Sequence, residues 1–247
     1  MLKIFIAAAA VFACLFSFAV LADWPAVIEV GKFSAAAEGN AFPPNWKPLT
    51  FDNVEKHTEY TLVQDEGVVV VKAQAKASGS GLVRSLRIDL KQYPIIRWRW
   101  KITDILEKAD ITRKQGDDVP ARVLIFFEFD PAKVSLADKA KYGLARILYG
   151  AYPPHSGITY IWESKLPIGI VLANPYAEQV KMIVVESGGA KLNQWVEEER
   201  NLYADYLTHF GAEPPPTLSI AIMTDTDVTK ETATAYYGDI VFKKTAP

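Results

Sequence analysis

Between Pro94 and Thr103 the side chains alternate without a break: Ile96, Trp98, Trp100 and Ile102 fall on one side of an extended chain, Arg97, Arg99 and Lys101 on the other. Alternation this strict belongs to a β-strand with one buried and one wet face. Two same-face tryptophans can form a sugar-stacking platform, but isoleucines on both flanks make core packing the reading here. The basic side then meets solvent or lines a groove.

Similar short runs recur along the chain. Val27 to Phe33, Tyr60 to Val63, Val68 to Lys76 and Leu82 to Leu90 read as strands, as do Ala121 to Phe129, Ile158 to Glu163, Ile168 to Leu172, Val180 to Glu186 and Gln194 to Asn201. Leu218 to Thr224 and Ala233 to Lys243 close the series. Ala121 to Phe129 is apolar on both faces and is expected to lie centrally in its sheet. Gly39 to Trp46 is a proline-rich loop, and Ser78 to Gly81 is expected to turn the chain. Two helices are expected, one from Ser135 to Gly150, the other from Tyr203 to Gly211. Short strands with Gly and Pro punctuation point to an all-β, jelly-roll-like antiparallel sandwich with one or two accessory helices.

Residues 1 to 22 carry Lys3, a long apolar run and Val20-Leu21-Ala22, the plan of a secretory signal cleaved after Ala22. Alternatives are a retained membrane anchor or a lipoprotein acylated at Cys14, against which bulky Phe12 and the apolar run beyond Cys14 both speak. Removing the signal takes away the only cysteine and leaves 26 basic and 29 acidic residues, a net charge of −3. Disulfide and thiolate chemistry are thereby excluded, and with no basic block nucleic acid is not an expected partner. Residues 23 to 247 are expected to form one domain, periplasmic or secreted, without a stable membrane anchor once the signal is cut.

No nucleophile elbow, phosphate-binding loop, dinucleotide fingerprint or zinc-protease helix occurs, and His57, His155 and His209 stand far apart. No catalytic residues are assigned. Acids are the remaining chemical resource. Alternation places Arg84 beside Leu82, Leu86 and Ile88, and Arg122 in an apolar strand; buried charges need partners, expected among Asp117, Asp118, Asp225 and Asp227. Arg84, Arg99, Lys101, Asp118, Arg122, Trp162, Asp225 and Asp227 form the candidate ligand-binding set. Asp225, Asp227, Thr229 and Glu231 alternate as in the first half of a calcium loop, without the glycine such a loop needs. Capping of backbone and pairing with arginines is the competing reading of these acids.

The segments Gly81-Leu-Val-Arg84, Ile96-Arg-Trp-Arg-Trp-Lys101, Asp117-Asp118 with Arg122, Tyr160-Ile-Trp162, Glu199-Arg-Asn201, Phe210-Gly211, Thr224-Asp-Thr-Asp227 and Tyr237-Gly-Asp-Ile240 resemble the bacterial family catalogued as domain of unknown function 3047. That resemblance implies an exported, single-domain bacterial protein and brings no activity or cofactor with it. More loosely, Phe33 with Trp46, and Gly238-Asp239-Ile240, resemble the ends of jelly-roll carbohydrate-binding modules. In such modules an acid of the closing strand can join a structural calcium site, which makes Asp239 a metal candidate beside Asp225 and Asp227. Three functions remain open: a non-enzymatic module binding a glycan or other polar ligand of the cell envelope, a carboxylate-dependent glycan hydrolase or lyase, and a structural or protein-interaction domain.

Overall fold

The computed structural model describes residues 25–39, 42–129 and 156–245. The signal segment, Cys14, and the helix expected from Ser135 lie outside them. Fourteen strands are described: β1 Val27–Gly31, β2 Lys47–Leu49, β3 Glu59–Asp65, β4 Val68–Lys76, β5 Gly79–Ser85, β6 Ile95–Ile102, β7 Ala121–Phe127, β8 Gly157–Glu163, β9 Val171–Asn174, β10 Ala177–Ser187, β11 Val196–Asn201, β12 Thr217–Asp225, β13 Thr232–Tyr237 and β14 Ile240–Lys243. The helix α1, Leu202–Phe210, opens where the Asn201 side chain accepts the Ala204 N–H and closes at left-handed Gly211, φ 67°.

The strands form two sheets in a jelly-roll-like sandwich. In the first, Ile96 of β6 faces both Arg200 of β11 and Phe242 of β14, so β11 takes one edge of β6, while β13 and β14 share the other end to end. β4 and β3 continue beyond β13, and β1 beyond β14. The second sheet runs β2-β5-β12-β7-β8-β10-β9, antiparallel except for the parallel pair β8 and β10. Trp98 and Trp100 point into the space between the sheets, where Trp98 stacks on Tyr160 (centroids 5.1 Å apart) and Trp100 tilts against Trp162 (6.0 Å). Both tryptophans are core, as their isoleucine neighbours indicated. Their burial leaves Arg97, Arg99 and Lys101 on the outer face of the first sheet.

Several boundaries differ from expectation; β9 runs Val171–Asn174 rather than Ile168 to Leu172, for example. Ser78 to Gly81 does not turn the chain; Gly79 to Gly81 already belong to β5. Glycine is needed there for close approach: a Cβ at Gly81 would lie 2.6 Å from the Ile222 carbonyl oxygen, and one at Gly79 would collide with Oδ1 of Asp227. β5 then stops at Ser85 rather than Leu90. The final strand breaks at Gly238-Asp239, so Asp239 sits between two strands, not within one.

Candidate functional site

On β7, Ala121, Val123, Ile125 and Phe127 enter the core, so alternation turns Arg122, Leu124 and Phe126 to the outer face of the second sheet. On β12 the same rule sends Ile220 and Ile222 inward and Met223 and Asp225 outward. Part of this outer face is covered by the segment before β7, whose Ile111 and Val119 pack on Ile161, Met182 and Val184. Beside that cover lies a cavity of about 380 Å³. Its apolar wall includes Leu49, Val54, Leu124, Phe126, Val180 and Met223; Phe51 and Tyr176 stand at the surface. Its polar end is made by Asp117, Arg122, Asn174, Asp225 and Asp227.

Arg122 organises that end. The residue is 4 % exposed, and its guanidinium donates through Nε and Nη2 to the two oxygens of Asp225, at 3.0 and 2.7 Å. Nη1 and Nη2 also donate to Oδ1 of Asp117, both at 3.3 Å, and Nη2 to the Asp117 carbonyl at 2.9 Å. Asp117 reaches an arginine only five residues on because a 3-10 turn at Lys114–Gly116 precedes it. Its Oδ2 accepts the Asn174 amide at 3.2 Å, and Asn174 Oδ1 accepts the N–H groups of Tyr176 and Ala177, fixing the turn that carries Tyr176. Asp118 makes no hydrogen bond to Arg122 and accepts instead the N–H groups of Val228 and Thr229.

Arg122 thus pairs with two acids, and two more stand close by. Oxygens of Asp118, Asp225 and Asp227 lie within 4.8 Å of one another. Burial opposes the charge of Arg122, but Asp117 and Asp225 outweigh it and raise its pKa. Burial, opposed by Arg122 and reinforced by Asp118 and Asp117, pushes the Asp225 carboxyl up to about 8. Burial and then Asp118 raise Asp227, which is half-buried and has no ion pair among the described residues.

Of the candidate ligand set, the cavity gathers Arg122, Asp225 and Asp227, with Asp118 close to the two acids but outside the lining. The expected pairing of Arg122 with acids is observed. That of Arg84 is not: β5 ends one residue later, and Arg84 Nη1 donates to the carbonyls of Glu29 and Val30, at 3.1 and 2.5 Å. Neutral acceptors satisfy a half-buried guanidinium without a counter-charge. Trp162 is sealed in the core with its indole N–H on the Gly188 carbonyl at 3.1 Å, out of reach of a ligand. Arg99 and Lys101 lie on the first sheet, Arg99 over Trp195 and Lys101 paired with Asp65. Asp239 is separate from the acidic group as well; its oxygens accept the N–H and hydroxyl of Ser34. It cannot share a metal with Asp225 and Asp227.

Asn174, Tyr176, Phe126 and Met223 were not candidates in the sequence. The available signal was the doubly apolar strand β7: Leu124 and Phe126 have no place in the core, and need another apolar partner or a ligand.

The chain belongs to the family described as protein of unknown function DUF3047, whose model matches residues 44–241. No curated protein matches it. Solved structures similar to it include a family 29 carbohydrate-binding module at 9 % identity, covering 88 % of this chain and 91 % of the module, with a TM-score of 0.34. The carbohydrate recognition domain of Emp47p is also 9 % identical, covering 88 % and 95 %, TM-score 0.45. A thermostable cellulase derived from a Rhodothermus marinus enzyme is 12 % identical, covering 87 % and 99 %, TM-score 0.38.

Proposed function

We propose that the family member described here is an exported binding module that holds a glycan in the outer cavity of its second sheet without transforming it. One observation carries this reading: the polar end of the cavity offers hydrogen-bond acceptors, while Arg122, the one cation lining it among the described residues, is already paired with Asp117 and Asp225. An acceptor-rich end with no available cation suits a ligand rich in hydroxyl donors, and disfavours an anion. The walls suit the C–H faces of the same molecule, with Tyr176 and Phe51 at the surface and Phe126 and Met223 inside. The volume lies in the range of about 300 to 1,000 Å³ usual for small-ligand sites.

Calorimetric titration of an oligosaccharide panel tests the reading. At least one sugar should bind, and Asp227→Asn and Tyr176→Ala should each weaken it about tenfold, about 1.4 kcal/mol. Failure of every sugar, or binding indifferent to both substitutions, would reject it. The raised carboxyls of Asp225 and Asp227 favour the second reading, a carboxylate-dependent hydrolase or lyase. Against it, Asp225 is held by Arg122 and Asp118 by backbone, which leaves Asp227 without a second free carboxyl in the cavity among the described residues. Release of reducing ends from the bound sugar would decide for the enzyme. Export is tested separately, by an N-terminus at Asp23 in the mature protein.

A further inference from the structure

The outer face of the first sheet carries another concavity, of about 330 Å³, whose lining includes Ser34, Val68, Arg97, Arg99, Asp239 and Val241. Its charges are paired one step out of register. Glu197 lies across from Arg99 in the β11–β6 ladder and Glu199 across from Arg97. Yet Glu197 accepts from Arg97 at 3.1 Å, and Glu199 accepts from Lys243 at 2.6 Å. Lys101 is taken by Asp65, and Asp239 by the N–H and hydroxyl of Ser34. The diagonal shift leaves Arg99 with no carboxylate in ion-pair range among the described residues.

The Arg99 side chain is nonetheless held in place. Its guanidinium carbon lies 4.4 Å from the centre of the Trp195 ring, and its stem crosses Gly238, where a Cβ would collide with Cγ and lie 2.6 Å from Nε. A guanidinium fixed in this way gives up little rotamer freedom when it takes a ligand, and its planar fork matches a carboxylate or phosphate in two parallel hydrogen bonds. Glu197 and Asp239 line the same concavity; Glu197 is paired with Arg97, while Asp239 is hydrogen-bonded by Ser34 and keeps its charge.

We propose that Arg99 anchors a second binding site, distinct from the cavity of the second sheet, for the carboxylate or phosphate group of an anionic ligand. Val68 and Val241 offer an apolar wall to the rest of that ligand. Trp195 supplies a built-in reporter, since it is half-exposed and touches Arg99, whereas Trp46, Trp98, Trp100 and Trp162 are buried.

The experiment titrates the folded protein with sodium glucuronate, and separately with inorganic phosphate, following tryptophan emission against sodium chloride at equal ionic strength. A saturable change with either probe is expected, glucuronate alone marking a carboxylated ligand and phosphate alone a phosphate ester. Trp195→Phe should remove the signal. Arg99→Gln should abolish binding, and Arg99→Lys, which keeps the charge but not the fork, should weaken it about tenfold. Responses no different from chloride, or unchanged in Arg99→Gln, would overturn the proposal. Should Arg99→Gln fail to fold by circular dichroism, undiminished binding in Arg99→Lys would overturn it equally.

Discussion

Arg122→Met keeps an unbranched apolar stem and removes the guanidinium with its charge. Asp117 and Asp225, 6 % and 3 % exposed, then lose their counter-charge with Asp118 still nearby. Stranding a buried charge in this way costs about 3 to 5 kcal/mol, against about 0 to 1 for breaking an exposed pair. The cost must depend on pH. Asp225 has a folded pKa above its unfolded value of about 3.9, so the fold favours its protonated form. Stability from that preference is complete below the unfolded pKa and lost as pH rises through the folded one. Asp225, already up at about 8 with Arg122 in place, can only move higher without it. Urea unfolding should therefore show a small loss at pH 5 and a growing one as pH rises through 8 and above. Adding Asp225→Asn should return about 1 to 3 kcal/mol at pH 8, as expected for coupled neighbours. A loss below about 1 kcal/mol at pH 8, with no pH dependence, would refute the description of Arg122 as the buried hub of the site.

Glu198, on the inner side of edge strand β11, is raised to about 7 by burial and then by the charge of Glu186. The wild-type fold should lose about 1 to 2 kcal/mol, after solvent screening, between pH 4.5 and 7, and Glu198→Gln should flatten that slope in urea midpoints. Gly79→Ala should cost stability modestly, under about 1.5 kcal/mol, because the colliding Asp227 carboxylate can swing away. The same substitution should weaken ligand binding in calorimetry by displacing that carboxylate. Melting in calcium and after chelation should give one midpoint, because both Asp225 oxygens are engaged by Arg122; stabilisation approaching about 2.7 kcal/mol at a hundredfold excess over the dissociation constant would show a cation bound at Asp118, Asp225 and Asp227.

Period-two alternation carried most of the fold. It placed Trp98 and Trp100 in the core and their basic neighbours outside, and identified Arg122 as a charge in an apolar strand that needed acids. Helix α1 was visible from its aromatic spacing and the glycine that ends it. Alternation says nothing about which sheet a strand joins, so Arg99 and Lys101 could not be separated from Arg122, though they sit on different sheets. It also misleads where a strand stops: Arg84 shares a side with Leu82 only as far as Ser85, and its partners are carbonyls of a distant strand. Trp162 illustrates a third limit, since a tryptophan beside a charged residue reads equally as platform or core until the opposing Trp100 is known. The cavity itself depends on Phe51, Asn174 and Tyr176, from two turns and the end of β9, which share no local pattern and meet only through β-sheet pairings far apart in sequence.

The most direct measurement of the central claim is amide chemical-shift mapping of isotopically labelled protein, titrated with the tightest-binding sugar of the panel. Shifts should cluster on Leu124, Phe126, Asn174, Tyr176, Met223 and Asp227 and leave the outer face of the first sheet unchanged. Shifts confined to that other face, or the absence of any localised cluster, would contradict the placement of the glycan in the cavity of the second sheet.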